Sequence, residues 1–346
     1  MIVRALVVIA LLLAPVTTGA EMKLPPGFSA QVYVTGHGFD GSGIAAGIPS
    51  ASTLAFDPGG ALYAARSGRR YLGGGEVDDV WPVFRIPLGG GRLTRDTEPR
   101  YLYGPPLPNG QVGAVRGAHE LLVTTYDRER RHGVLYRIVD GRAQLLAGGT
   151  PAPGTPPLLK QPEGVALDPA GNVYVADRQH GAVLKLDPEG RMLDAHWLTL
   201  PRPRLLAAHG DRLWIAADGE AEAPWQRGTG ELWTVGPEGK RLALRGPIAS
   251  GMGVSPTGHL FVADRQSGRV LAVSGDGGSF DFATFTDGDA PRTVGWAPVT
   301  EATQRAGIAG DLFVVVIRRG TWALNEIVRV SGPFNDLVRS RLPASR

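Results

Sequence analysis

Short apolar runs alternate with glycine- and proline-bearing turns along most of the chain, and the runs come in pairs. Val165-Ala166-Leu167 is followed by Asp168-Pro169-Ala170-Gly171-Asn172 and then by Val173 to Ala176. Runs this short, bounded by turn residues, predict strands rather than helices. Residues 174–186, YVADRQHGAVLKL, are nearly repeated as FVADRQSGRVLAV at 261–273, and the match extends back through Gly164 and Gly251, Pro169 and Pro256, and Gly171 and Gly258. The offset is close to two periods of a four-stranded propeller blade, about 40–45 residues each. It therefore predicts one blade between the copies, and LLAAHGDRLWIAAD at 205–218 supplies the pattern. Three more run–turn–run segments, FDPGGALYAAR, GAHELLVTT and AGDLFVVV, place Arg66, Thr125 and Val316 where the others place Asp177, Asp218 and Asp264.

Six marks predict six blades. The expected fold is all-β, a six-bladed β-propeller of four-stranded antiparallel blades. One small sheet cannot bury both faces alone, whereas sheets packed radially bury each against its neighbours and leave few open edges. Closure requires the chain ends to share a blade. Residues 28–34, FSAQVYV, and 325–330, NEIVRV, are expected to pair in the last blade, so that the N-terminal strand closes the ring; a plain edge strand at the N-terminus is the alternative.

Composition agrees with many tight turns: 49 glycines and 28 prolines in 346 residues, without a collagen period. Formal charge is +3, and lysine and arginine are scattered, which argues against a nucleic-acid partner. Residues 1–20 have the form of a signal peptide, with Arg4, an apolar run from Ala5 to Ala14, and the small residues Thr18-Gly19-Ala20. An uncleaved anchor is the competing reading, although the run is short for a bilayer span of about 20 residues. With residues 21–340 as the propeller domain and 341–346 as a tail, the mature chain has no stable membrane span. Export to a periplasm, or secretion, is expected, and the absence of cysteine leaves stability to packing alone.

The VADRQ copies resemble the NHL repeat, a blade type of six-bladed propellers, over most of residues 50–330. More weakly, LPPGFSAQVYVTG and GDLFVVVIRRGTWALNEIVRVSGPF resemble the opening and closing segments of glucose/sorbosone dehydrogenase-type propellers. The resemblance implies the fold; the architecture hosts lyases, lactonases, dehydrogenases and binding proteins alike. The dehydrogenase likeness implies a quinone, a catalytic histidine and an Arg-Asn pair, yet none of Asn109, Asn172, Asn325 or Asn335 directly follows an arginine. The sequence thus assigns no cofactor.

Loops after the second strand of each blade should open on one rim, and each carries arginine. Arg66, Arg128, Arg178, Arg265 and Arg318 fall within three positions of the marks. Turned inward, they would form an electropositive mouth for a carboxylate, a phosphate or an acidic protein partner, because a guanidinium presents a planar set of donors. The competing reading is local: Asp177 caps its own turn or pairs with Arg178, and the arginines face solvent. Asp177, Asp218 and Asp264 are weak candidates for a divalent metal that would polarise a carbonyl and activate water. His180 is a further candidate, as are His37 and His132 on the same rim, with a solvent-facing loop position expected for each. Trp322 could stack on a flat ligand. The leading expectation is an exported binding or interaction module for a small anionic or polar ligand, or a protein partner. The alternative is a propeller enzyme, either a metal-dependent hydrolase or lactonase, or a quinone-dependent sugar dehydrogenase-like oxidoreductase.

Overall fold

The computed structural model describes residues 22–36, 51, 53–65, 69–72, 75–78, 80–94, 97–127, 131–221, 228–246, 248–317 and 325–342. Six antiparallel sheets of four strands follow one another around a ring. Blade 1 is built from Leu54–Phe56, Leu62–Ala64, Val80–Ile86 and Leu102–Pro108, and blade 2 from Gln111–Arg116, Glu120–Asp127, His132–Val139 and Arg142–Gly148. Blade 3 comprises Pro162–Leu167, Val173–Asp177, Ala182–Leu186 and Met192–Thr199; blade 4 comprises Pro203–His209, Arg212–Ala217, Gly230–Gly236 and Gly239–Gly246. Blade 5 runs through Gly251–Val254, Leu260–Asp264, Arg269–Val273 and Ser279–Phe285. Blade 6 takes Ala290–Trp296, Leu312–Ile317 and Asn325–Ser331, and its fourth strand is Ser29–Gly36 from the other end of the chain.

That last pairing is the expected closure. Ser29 stands opposite Ser331 and Val32 opposite Val328, antiparallel. Two short strands extend the blades outward: Met22–Lys23 pairs with the outer strand of blade 5, and Gly91–Leu93 runs parallel to Ser29–Gly36. Hydrogen bonds that would otherwise be left on an open edge are thereby satisfied.

Strand alternation sends successive side chains to opposite faces, so each blade presents one apolar set to the blade before it and one to the blade after. Six buried clusters result, one per junction. In blade 3, Val173 and Val175 face blade 2 with Leu122 and Leu135, while Tyr174 and Ala176 face blade 4 with Leu213, Ile215 and Ala217. The core is therefore a wheel of interfaces rather than a central mass, and the axis is left to polar groups.

Glycine on the innermost strands lets these blades approach. A Cβ on Gly164 would stand 2.6 Å from the Leu206 backbone nitrogen and 2.7 Å from the Arg204 carbonyl oxygen of blade 4, and one on Gly251 would meet Thr293 of blade 6 at 2.2 Å. This is the physical reason for the glycines repeated in the sequence: backbone meets the neighbouring blade where a side chain would stand.

Two helices were not expected. Helix α1, Glu301–Arg305, starts at a capping box of Thr300 and Thr303 and is tied to blade 1 by Thr300 Oγ1 donating to the Pro58 carbonyl at 2.8 Å. Helix α2, Phe334–Arg341, covers the junction of blades 5 and 6 through Phe334 and Val338; Phe28 packs edge-on against Phe334 and Phe282 there. Among the described residues no helix is long and apolar enough to cross a membrane.

Candidate functional site

The innermost strands of blades 3, 4 and 6 share a defect next to a proline. Pro162 stands opposite Asp177 and Gly164 opposite Ala176, so Glu163 is an extra residue; Pro203 and Leu205 bracket Arg204 in the same way, and Pro291 and Thr293 bracket Arg292. Such a β-bulge bends the strand and re-aims the inserted side chain. Proline fits the position because its missing N–H would break a regular ladder but not the end of one. The consequence is one polar side chain from each of three blades delivered to the axis.

There the three meet residues from the adjoining loops. Arg204 Nε lies 3.0 and 2.9 Å from the two carboxylate oxygens of Asp218, and its Nη2 donates to the Ala249 carbonyl of the next blade's approach. Arg178, from blade 3, reaches the same carboxylate with Nε at 3.4 Å and donates from Nη2 to the Ala221 carbonyl at 3.0 Å. Arg292 Nη1 donates to the Ser250 carbonyl at 2.9 Å. Solvent is nearly excluded: relative exposure is 1% for Arg204 and 0% for Asp218.

Electrostatics registers the crowding. Burial, reinforced by Arg204 and Arg265, pulls the Arg292 guanidinium down to about 9, with Glu163 and Asp218 acting against the shift. A guanidinium keeps its proton at physiological pH, so the shift expresses a cation held among cations. Glu163 moves the other way: burial raises its carboxyl, and Arg204, Arg178 and the Gln161 amide only partly oppose this. Side chains from blades 3, 4, 5 and 6 therefore feel one another across the channel mouth.

Outward from this floor opens a cleft of about 450 Å³ lined by Gln161, Arg178, Gln179, His180, Gly181 and Arg202. Arg178 belongs to both the cleft wall and the buried network.

Arg178 and His180 thus line the cleft and Arg265 lies close enough to act on Arg292, whereas Arg66, Arg128, Arg318, Trp322 and His37 lie outside the described residues. The three aspartates divide. Asp177 accepts from the backbone N–H groups of Lys160, Gln161 and His180, and Asp264 from the Ser267 N–H and from Arg269 Nε, so both hold local turns. Asp218 is not their equivalent. Strand register makes Ala217 the counterpart of Asp177, since Pro162 faces Asp177 where Pro203 faces Ala217. One residue along a strand reverses the face, and Asp218 accordingly meets Arg204 and Arg178 instead of its own loop. The three carboxylates do not converge, and among the described residues no three His, Cys, Asp or Glu side chains stand close enough to hold a metal ion.

The loop histidines also depart from a solvent-facing position. His132 is buried, and His180 is half-buried with Nδ1 3.0 Å from Asp177 Oδ2. Asn172 bonds Asp168 in the turn at the opposite end of blade 3, and Asn109 donates to the Tyr126 carbonyl at 3.0 Å, so neither forms an Arg-Asn pair at the channel. Arg202, Arg204, Arg292 and Glu163 escaped sequence reasoning. A signal was present, however: QPEG, RPRL and APRT recur at the start of three inner strands.

Comparison with known proteins supports the architecture. The NHL repeat family matches residues 159–186. Blade 3 carries an NHL repeat. Among solved structures, the PQQ-bound aldose sugar dehydrogenase of Streptomyces coelicolor is 17% identical, covers 89% of this chain and 100% of its own, and superposes with a TM-score of 0.54. A gluconolactonase from Xanthomonas campestris is 15% identical over 90% of this chain and 99% of its own, with a TM-score of 0.52. An auxiliary nutrient binding protein from Bacteroides thetaiotaomicron reaches a TM-score of 0.53 at 11% identity, covering 90% and 77%. No curated protein matches this chain in sequence. At these identities the likeness is one of fold, shared by two enzymes and a binding protein.

Proposed function

We propose that this NHL-repeat propeller is an exported binding module whose channel mouth captures a small anionic ligand. The observation carrying this reading is the pair of guanidinium groups, Arg178 and Arg202, on the walls of the 450 Å³ cleft, with the buried Arg204 and Arg292 beneath them. Arg178 keeps 13% of its side-chain surface exposed while its Nε engages Asp218, so it links solvent to the buried charges. An entering carboxylate or phosphate gains charge-assisted hydrogen bonds in a poorly solvated setting, where they are stronger than in water. Ligand binding to the native state alone raises the melting temperature. Acetate and inorganic phosphate should therefore stabilise the protein in a salt-dependent manner, and Arg178→Gln should weaken binding at least tenfold relative to its own ligand-free baseline. Anions that leave the melting temperature unmoved, or an Arg178→Gln variant that binds unchanged, would overturn the reading. Export is tested separately by expression with the leader, where the mature protein should begin at Glu21.

A second reading has its own observation. His180, with Nδ1 3.0 Å from the buried Asp177 carboxylate, lines the cleft within reach of a bound substrate, as a general base must be. Turnover of lactones, esters or sugars that disappears in His180→Ala would favour the enzyme.

A further inference from the structure

We propose that the cleft between blades 3 and 4 takes a small carboxylate bearing hydroxyl groups along its length, with Arg202 clamping the charged end. The proposal rests on the anion-binding reading above and adds the ligand's class and a residue that sequence reasoning did not single out.

The first observation is the conformation of Arg202. Its φ is +52°, in the left-handed region that side chains avoid, and it sits between Pro201 and Pro203. A residue before proline is normally driven to extended conformations. Glycine would fill the position without steric cost, yet the chain places arginine there. Strain of this kind concentrates where a side chain must be held in one place. Two contacts do the holding: the Arg202 carbonyl accepts from Asp218 N–H at 3.0 Å, and Arg202 Nη1 donates to the Gly219 carbonyl at 3.2 Å. Among the described residues the guanidinium makes no other hydrogen bond, so its remaining donors are available to the cleft it lines.

The second observation is the character of the walls. Beside the two arginines stand the amides of Gln161 and Gln179 and the imidazole of His180, with no apolar side chain among them. Gln161 Nε2 donates to Glu163 Oε1 at 3.0 Å, which leaves its amide oxygen as an acceptor; Gln179 is exposed, with Nε2 3.4 Å from Tyr126 Oη. An acyl or aryl tail would cover these groups without replacing their water, which is costly, whereas hydroxyls can both donate and accept. Sites built this way reject ligands that lack the matching hydroxyls.

Gluconate and hexanoate make the matched test, since both have six carbons and one carboxylate and differ in their hydroxyls. Calorimetry should show gluconate binding at least tenfold tighter. Gln179→Leu should narrow that ratio while leaving hexanoate unchanged. Arg202→Gly should weaken both ligands at least tenfold without lowering the melting temperature, because the left-handed backbone suits glycine. Equal affinity for the two acids would overturn the ligand class while leaving an anion site standing. Unchanged gluconate affinity in Arg202→Gly would overturn the clamp. Binding of inorganic phosphate alone would overturn this proposal only, and failure of every anion would remove the underlying reading with it.

Discussion

Replacing Arg204 by methionine retains most of the side-chain length but strips the guanidinium from a pair that solvent barely touches. Among the described residues Asp218, at 0% exposure, would keep the Arg178 contact at 3.4 Å, and the Ala249 carbonyl would lose the Arg204 donor. Removing one partner of a buried ion pair costs about 3–5 kcal/mol, because the stranded charge cannot regain its hydration. With an unfolding entropy of about 2.1 cal/mol/K per residue, each kcal/mol lowers the melting temperature of a domain of about 320 residues by about 1.5 °C, so a drop of roughly 4–8 °C is expected. Replacing the pair together, Arg204→Met with Asp218→Leu, removes both charges of the closest contact and leaves Arg178 its bond to the Ala221 carbonyl, so part of the loss should be recovered, since an apolar pair of similar volume is often neutral or better. The assay is urea and thermal unfolding of wild type, both single variants and the double variant, read as a double-mutant cycle. A single-variant loss below about 1 kcal/mol, or a double variant no more stable than the worse single one, would refute the claim that burial makes this pair costly to break.

Adding a methyl group in Gly164→Ala places a Cβ 2.6 Å from the Leu206 nitrogen, and should cost about 1–3 kcal/mol by overpacking the junction of blades 3 and 4, seen as a lower urea midpoint. Val34, at 0% exposure in the closing strand, should not tolerate Asp: Val34→Asp is expected to cost at least about 3 kcal/mol, measured by thermal unfolding, since it buries an unpaired charge where the ring is joined. Burial raises the Glu163 carboxyl above its ordinary 4.5, so the folded state binds that proton more tightly than the unfolded state. The resulting stability is complete below pH 4.5 and is lost as pH rises through the folded value. Glu163→Gln should accordingly be more stable than wild type at neutral pH, with a flatter pH profile of melting temperature; a wild-type profile that rises across that window at the Glu163 step would contradict the sign. His259 has the opposite sense: burial, with His209 nearby, lowers its value from 6.5, so stability present above that pH should fall on acidification, less so in His259→Gln.

Blade number and ring closure were legible in the sequence because both follow from short-range order. Paired apolar runs, turn residues and the repeated Gly164 and Gly251 belong to a unit that cannot bury its faces without neighbours, and FSAQVYV and NEIVRV were strand patterns lacking partners in sequence. The rim was legible in part: Arg178, His180 and Arg265 follow the second strands as the repeat indicates. What only the tertiary structure decided is how side chains meet across blades. Asp218 looked equivalent to Asp177 and Asp264 but sits one residue further along its strand, and that step turns it from its own loop to Arg204. Glu163, Arg204 and Arg292 reach the axis through bulges, and a bulge is a property of two paired strands, not of either alone. Helices α1 and α2 owe their place to surfaces they cover, at blade 1 and at the junction of blades 5 and 6. Repetition specifies the wheel because every sector obeys the same local rules, while the mouth of the channel is defined by contacts between sectors far apart in the chain.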